Sequence, residues 1–231
     1  RVKIGKKEAW QERQTSSNAE KTLIPYLKSR GVGSLDVLIL THTDTDHMGD
    51  MLEVAKHFSI KKIYVSKGSL TQPDFVQKLE QIETSVHVVE VGDEIPVFDS
   101  ALQVLYPSGT GDGGNDDSIV LYGEFFQTKF LFTGDLERQG ETELLKRFPQ
   151  LKADVLKAGH HGSKGSSSPE FLEQIQPKLA LISAGQNNRY RHPHQETLQR
   201  FEKFNTAIYR TDQQGAIRLI GWNSWRIETV H

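Results

Sequence analysis

The sequence contains no cysteine. That removes disulfides, thiolate nucleophiles and cysteine-based zinc sites, and leaves histidine and carboxylate as the ligands available to a metal. It has no apolar run near the ~20 residues needed to span a bilayer and no secretory signal pattern. The chain as given is therefore expected to be soluble, which is compatible with its being a piece of a larger membrane protein. It has no excess of charge: 28 basic residues stand against 30 acidic ones, a formal net charge of -2. Nothing global advertises a polyanionic partner, so a nuclease would have to rely on bound cations and a local patch. Arg189, Arg191, Lys157 and Lys164 are candidates for that patch. No internal repeat is evident, and no low-complexity linker is longer than the glycine-rich stretch near residue 110. With 36% hydrophobic residues in 231, one packed domain over residues 1–231 is expected.

What is present is a concentration of ligands. The apolar run Val37-Leu38-Ile39-Leu40 reads as a buried strand. It empties into Thr41-His42-Thr43-Asp44-Thr45-Asp46-His47, four potential metal ligands within six residues. His42 and Asp44, two apart, can share one face, while Asp46 and His47 open the next element. Two adjacent pairs suggest two adjacent ions. The plainer reading, a polar turn that caps the following helix, accounts poorly for imidazole and carboxylate alternating in this way. The same logic recurs twice. Phe130-Leu131-Phe132-Thr133-Gly134-Asp135 is an apolar run, a glycine and a carboxylate, and Ala153-Asp154-Val155-Leu156-Lys157 leads to Ala158-Gly159-His160-His161-Gly162. Taken alone, Gly134-Asp135 would be an ordinary turn. Two adjacent histidines are expected to diverge and so not to share an ion. Lys157 is expected either to face a phosphate or to lie on the surface.

The loop His42-x-Asp44-x-Asp46-His47 resembles the signature loop of the metallo-β-lactamase fold, with Asp44 where that signature usually has histidine. This aspartate variant is similar to the C-terminal domain of the ComEC family, the competence proteins through which bacteria import transforming DNA. The resemblance implies an αββα sandwich in which the three strand ends meet at one edge. It places the metal ligands at His42, Asp44, Asp46, His47, Asp135 and His160, with Asp135 bridging two divalent ions. His161 is then left to orient its neighbour, to touch substrate or to point elsewhere. Many proteins of this fold also carry a histidine ligand where Ile119 begins a strand; Asn115, Asp117, Ser118 or water is expected to stand in, unless Asn115 to Ser118 is turn chemistry only. Tyr190-Arg191-His192-Pro193-His194 is similar to an element near the family's active site, which makes Arg191, His192 and His194, with Ser118 and His161, candidates for substrate contact. The following helix start also suits an anion such as phosphate. The family's two upstream strands, with a D-V-G-Q-G-D signature, have no counterpart here, so the chain is expected to lack the first strands of one sheet.

Elsewhere, an amphipathic helix is expected after Ser16-Ser17-Asn18, with Pro25 kinking it or marking a late start. Alternating strands and helices follow to about residue 82, then a β-rich stretch from Val86, and a hairpin of Ile119–Tyr122 with Lys129–Phe132. The tail, at Ala207–Arg210, Ala216–Ile220 and Trp225–Val230, alternates with period two and is expected to return as strands of the second sheet. Trp222 and Trp225 are expected to pack.

Two ions ~3.5 to 4 Å apart would activate a bridging water and stabilise an in-line phosphoryl displacement. Asp44 enriches the site in oxygen, which favours Mn2+, with Zn2+ acceptable. By the resemblance, the chain is a metal-dependent nuclease that degrades the DNA strand not imported, with Asp46, Lys157 and His192 as catalytic candidates. It would sit outside the cell membrane beside the channel-forming part of the protein, in contact with other DNA-uptake components. A small-molecule phosphodiesterase of the phosphorylcholine esterase type, or a non-catalytic DNA-guiding domain, are the alternatives.

Overall fold

A computed structural model describes residues 17–221 and 225–230. The opening Arg1–Trp10 segment and Trp222 lie outside the described residues. Ser17 caps α1 (Asn18–Lys21) through a reciprocal capping box with Glu20. The chain breaks at Thr22 and restarts as α2 (Leu23–Ser29). Pro25 falls in the first turn of α2, where its missing N–H costs nothing; of the two expectations, the late start is the one realised.

A short parallel pair, β1 (Ser34–Leu35) with β3 (Ser59–Ile60), flanks a three-stranded parallel sheet. Its strands, in the order β2-β4-β5, are β2 (Leu38–Leu40), β4 (Lys62–Ser66) and β5 (Ser85–Val89). Three helices lie between these strands in sequence: α3 (Thr45–Met48), α4 (Met51–His57) and α5 (Pro73–Leu79). Period-two alternation divides the strand side chains between two faces. Leu40, Ile63 and Val65 meet Met51, Val54, Phe75 and Leu79 on the helical side. Ile39 and Tyr64 face the second sheet.

That second sheet has seven strands. β6 (Glu94–Val97), β7 (Ser100–Tyr106), β8 (Val120–Phe125) and β9 (Thr128–Phe132) form an antiparallel half. β10 (Val155–Lys157), β11 (Leu179–Ile182) and β12 (Ala207–Arg210) add to β9 in parallel. The crossovers are α6 (Arg138–Arg147), α7 (Pro169–Ile175) and α8 (Gln195–Lys203). Leu131, Leu156 and Ala180 pack outward against Leu144, Phe171, Leu172 and Phe201 of these helices. Ile95, Val104, Ile119 and Leu121 pack inward against Tyr64. Each such fully buried aliphatic or aromatic side chain stabilises the fold by about 1.5–3 kcal/mol. The layers are helix, sheet, sheet, helix: the αββα sandwich expected.

The tail departs from expectation. β12 joins the large sheet, but after α9 (Thr211–Gln214) and Gly215, at φ +68°, the chain turns away. β13 (Ala216–Gly221) and β14 (Trp225–Val230) pair only with each other in the ladders described. Their apolar members Leu219, Trp225 and Ile227 cover Phe130, Val155 and Leu179 on the large sheet. Trp225 packs edge-on to Phe130 at 5.3 Å, and its indole N–H donates to Thr128 Oγ1 (2.7 Å). An apolar stripe on the sheet face, rather than its hydrogen-bonding edge, captures this hairpin.

Candidate metal centre

Strands β2, β9, β10 and β11 run parallel within their sheets and end along one rim, where the ligand-bearing loops converge. Gly134, at φ +54°, makes the convergence possible: a Cβ there would lie 2.8 Å from Ser118 Cβ and 3.3 Å from Thr41 Cβ. A backbone bond ties the two sheets at this point, Ile119 N–H donating to Thr41 O (2.9 Å), and within the larger sheet His160 N–H donates to Gly134 O (3.2 Å).

Asp46, His47, Asp135 and His161 each offer one ligand atom, and these atoms lie within 4.8 Å of one another. His47 Nε2 is 3.1 Å from Asp135 Oδ1 and 3.0 Å from His161 Nε2. His161 Nε2 is 3.3 Å from Asp46 Oδ2 and 3.5 Å from Asp135 Oδ2. His42 lies beside them, fully buried, its ring 4.1 Å from that of His47. Two further expected ligands stand at the margin. Asp44 is 3.9 Å from His42 Nε2 with half its side chain exposed, and His160 Nε2 is 3.8 Å from Asp135 Oδ2. Asp44 occupies the cap position of α3 without a side-chain cap bond, so helix capping does not account for it.

The site differs from the sequence reading at the histidine pair. Both His160 and His161 have left-handed backbones, at φ +45° and +53°. This tight turn lets both imidazoles approach Asp135 instead of diverging, and the one inside the cluster is His161. Non-glycine residues adopt this conformation at a cost of about 1–2 kcal/mol each, and such residues concentrate at functional sites.

The second ring nitrogen explains how each imidazole is held. His161 Nδ1–H donates to the Ser183 carbonyl (2.7 Å) and His160 Nδ1 is 2.9 Å from Glu137 Oε1. His42 Nδ1 is 3.1 Å from Thr41 Oγ1 and 3.3 Å from Ser118 Oγ, and His47 Nδ1 is 3.4 Å from Thr41 Oγ1. In all four, Nδ1 is occupied and Nε2 is the atom left for a ligand, the pattern of metal-binding imidazoles with an oriented outer shell. His42 Nε2 is buried and has no hydrogen-bond partner among the described residues, a cost that an ion would relieve. The donor set of imidazole nitrogens and carboxylate oxygens therefore fits a divalent cation.

Electrostatics agree with this. Burial, reinforced by His47, pushes His42 down to about 4, so the imidazole is neutral at physiological pH. Burial works against the ionised form of Asp135, yet the hydrogen bond and charge of His47 hold it at about 2. The His161 hydrogen bond keeps Asp46 well below the ordinary carboxylate range. For His161, burial lowers the pKa but Asp46 and Asp135 outweigh it and raise it.

Several expected substrate contacts have other surroundings. Ser118 is wholly buried; its Oγ accepts the Asp135 N–H (3.0 Å), so it supports the site from below instead of meeting substrate. Asp117 is also buried and accepts from Ser66 Oγ (2.7 Å). Lys157 does not lie in a surface patch. Its ammonium donates to the Ala158 carbonyl (3.0 Å), and burial pushes its pKa down while Asp135 opposes the shift. His194 Nδ1 accepts the Lys164 N–H (3.0 Å), which fixes the loop before α8. His192 does reach the site, 5.3 Å from His160 and nearly parallel to His161 at 6.3 Å; burial first, then the neighbouring histidines, push it to about 4. Arg191 is exposed beside it. Glu137, Thr41 and the Ser183 carbonyl were not singled out from the sequence; Glu137, two residues beyond Asp135, carried the only local hint.

Residues 8–186 match the Metallo-beta-lactamase superfamily. The chain is 43% identical over 216 residues to ComE operon protein 3 of Bacillus subtilis (strain 168), covering 91% of this chain and 28% of that protein. It is 32% identical over 208 residues to competence protein ComA of Neisseria gonorrhoeae, covering 88% and 28%. Recombination protein 2 of Haemophilus influenzae is 30% identical over 204 residues, covering 88% and 24%. The chain thus spans about a quarter of the length of these relatives. Among solved structures, the metallo-beta-lactamase fold protein YhfI from Bacillus subtilis superposes with a TM-score of 0.52 at 12% identity, over 84% of this chain and 81% of that one. That likeness speaks for the fold alone. On the profile match and on the shared domain in competence proteins, the chain belongs to the metallo-β-lactamase superfamily.

Proposed function

We propose that the chain is a divalent-metal-dependent nuclease domain of a ComEC-type competence protein, acting on the DNA strand that is not imported. In the same proposal it lies outside the membrane, beside the channel-forming part of the protein and other DNA-uptake components. The supporting observation is the convergence of Asp46, His47, Asp135 and His161 within 4.8 Å, flanked by His42 and His160, each with Nδ1 engaged. Asp46, His47, Asp135 and His161 would hold one ion, and His42, Asp44 and His160 would complete a second position around Asp135. Bound there, divalent ions supply charge stabilisation for a phosphoryl centre and a nucleophilic water at neutral pH. Mn2+ is the favoured ion because the carboxylates make the site oxygen-rich, with Zn2+ the alternative.

The protein's own groups prepare the site for an anion. Asp46 and Asp135 stay ionised and His42 stays neutral, whereas His161, whose pKa Asp46 and Asp135 raise, would give up its Nε2 proton on binding an ion. Asp46 is the cluster carboxylate open to solvent, its side chain 57% exposed, against 2% for Asp135; it is where substrate and ligand shell meet. His192, neutral and beside His160, would be placed to accept a proton from the attacking water or to donate a hydrogen bond to a phosphate oxygen. Lys157 acts behind Asp135 as a counter-charge. The test is cleavage of labelled single- and double-stranded DNA with Mn2+, comparing the parent chain with Asp46→Ala. Loss of cleavage in the variant is expected; undiminished cleavage overturns the assignment.

A further inference from the structure

Beside the metal centre, the loop after β11 carries a run of rings that the ligand set does not use. His192 lies nearly parallel to His161, with centroids 6.3 Å apart and planes 16° from parallel. Tyr190 lies over His192 in turn, at 5.7 Å and 23°. The Arg189 guanidinium sits over the Tyr190 ring, 4.6 Å from its centroid, and also reaches its hydroxyl. Tyr190 is 55% exposed, and Arg189 and Arg191 are exposed on either side of it. A large aromatic ring left in water between two cations gains little from the fold itself. It offers a flat face and two positive charges to a flat, anionic ligand.

We infer that Arg189, Tyr190 and His192 form a stacking subsite for one base of a single-stranded nucleic acid, two ring-to-ring steps from the metal cluster. The base takes the place of the Arg189 guanidinium on Tyr190, and the displaced guanidinium, with Arg191, pairs with the flanking phosphates. Stacking on aromatic side chains combined with cationic contacts to the backbone is how single strands are held without sequence preference. A base inside a duplex has both faces covered by its neighbours and cannot make this contact without being extruded. The subsite therefore selects single-stranded DNA, or a frayed end, over continuous duplex. This deepens the nuclease reading and rests on it for the identity of the polymer.

The experiment is fluorescence anisotropy with a short fluorescein-labelled oligothymidylate, in EDTA so that no cleavage occurs, at fixed salt. Tyr190→Ala is expected to weaken binding about 5- to 100-fold, and Tyr190→Phe less than about threefold, because stacking needs the ring and not the hydroxyl. An abasic strand of equal length should bind the parent chain and Tyr190→Ala alike. Unchanged oligothymidylate binding by Tyr190→Ala, or parent-chain affinity for duplex or abasic strand equal to that for oligothymidylate, overturns the inference. Circular dichroism of Tyr190→Ala guards against misfolding, and Tyr190→Phe provides the second variant. Cleavage with Mn2+ is scored separately. Base-dependent binding without cleavage leaves the subsite standing and removes the nuclease; cleavage without base dependence does the reverse.

Discussion

At the scale of single residues, the site is an arrangement of imidazoles whose Nδ1 atoms are all engaged. Glu137 illustrates the consequence. It does not join the cluster, but it holds His160 through Nδ1 at 2.9 Å, and removing such an outer partner typically costs about 10- to 100-fold in metal affinity. Glu137→Ala is therefore expected to weaken metal binding by that order while His161→Ala removes a metal equivalent, both read by metal titration. His42 gives a pH prediction. Its folded pKa, about 4, lies below the ordinary 6.5, so between these values the unfolded chain binds a proton that the folded chain refuses. The His42 contribution to the stability of the metal-free protein is then full above pH 6.5 and is lost as the pH drops towards 4, by on the order of 3 kcal/mol. Denaturant unfolding at stepped pH should show this slope, and His42→Asn should reduce it, leaving the contribution of His192, which burial and the neighbouring histidines also hold at about 4. The depressed Asp135 acts only below that window, as its carboxylate protonates towards pH 2.

At the scale of elements, the metal loop is held by a second loop that contributes no ligand. Thr43 donates to the Gly113 carbonyl from both its N–H and its hydroxyl, each at 2.8 Å. Buried Asp117 anchors that glycine-rich loop, with Gly68 and Gly111 packed against its carboxylate. A Cβ at Gly68 would fall 2.0 Å from Asp117 Oδ2 and 2.7 Å from the Gly111 carbonyl carbon. Gly68→Ala is thus expected to destabilise the protein by about 1–3 kcal/mol and to lower metal affinity although it touches no ligand. A lowered denaturation midpoint with unchanged metal affinity would show that the two loops move independently. The loop after His161 is held in a similar way: Glu141 accepts from the Ser167 and Ser168 N–H groups, and Arg200 donates to the carbonyls of Lys164, Ser166 and Ser167.

At the scale of the whole molecule, the ligands come from both sheets, so an ion bound among them joins the halves of the sandwich. His42, Asp46 and His47 follow β2 of the smaller sheet; Asp135, His160 and His161 follow β9 and β10 of the larger one. Binding to the folded state alone stabilises by mass action, about 2.7 kcal/mol at a free ion concentration one hundred times Kd. Mn2+ is expected to raise the midpoint of thermal unfolding, and EDTA to return it. Asp135→Asn should lose most of the increment, because Asp135 lies against histidines from both sides.

The sequence by itself determined the elements and the ligand-bearing strand ends. A buried strand, a glycine turn and the histidine and carboxylate clusters are local patterns; strands alternating with helices imply an α/β sheet, and the αββα order is implied by the resemblance of the His42–His47 loop to the metallo-β-lactamase signature. What it could not decide was which of two adjacent histidines enters the cluster. That choice depends on the left-handed backbone at His160 and His161 and on the partners, Glu137 and Ser183, that long-range folding brings to their Nδ1 atoms. It likewise left Ser118 and Lys157 open as surface contacts, because burial is a property of the assembled rim. The tail alternated correctly for strands, but alternation specifies a face to be covered and not an edge to be joined. Only the packed sheet, with Phe130, Val155 and Leu179 in a row, decided that β13 and β14 lie across it as a separate hairpin.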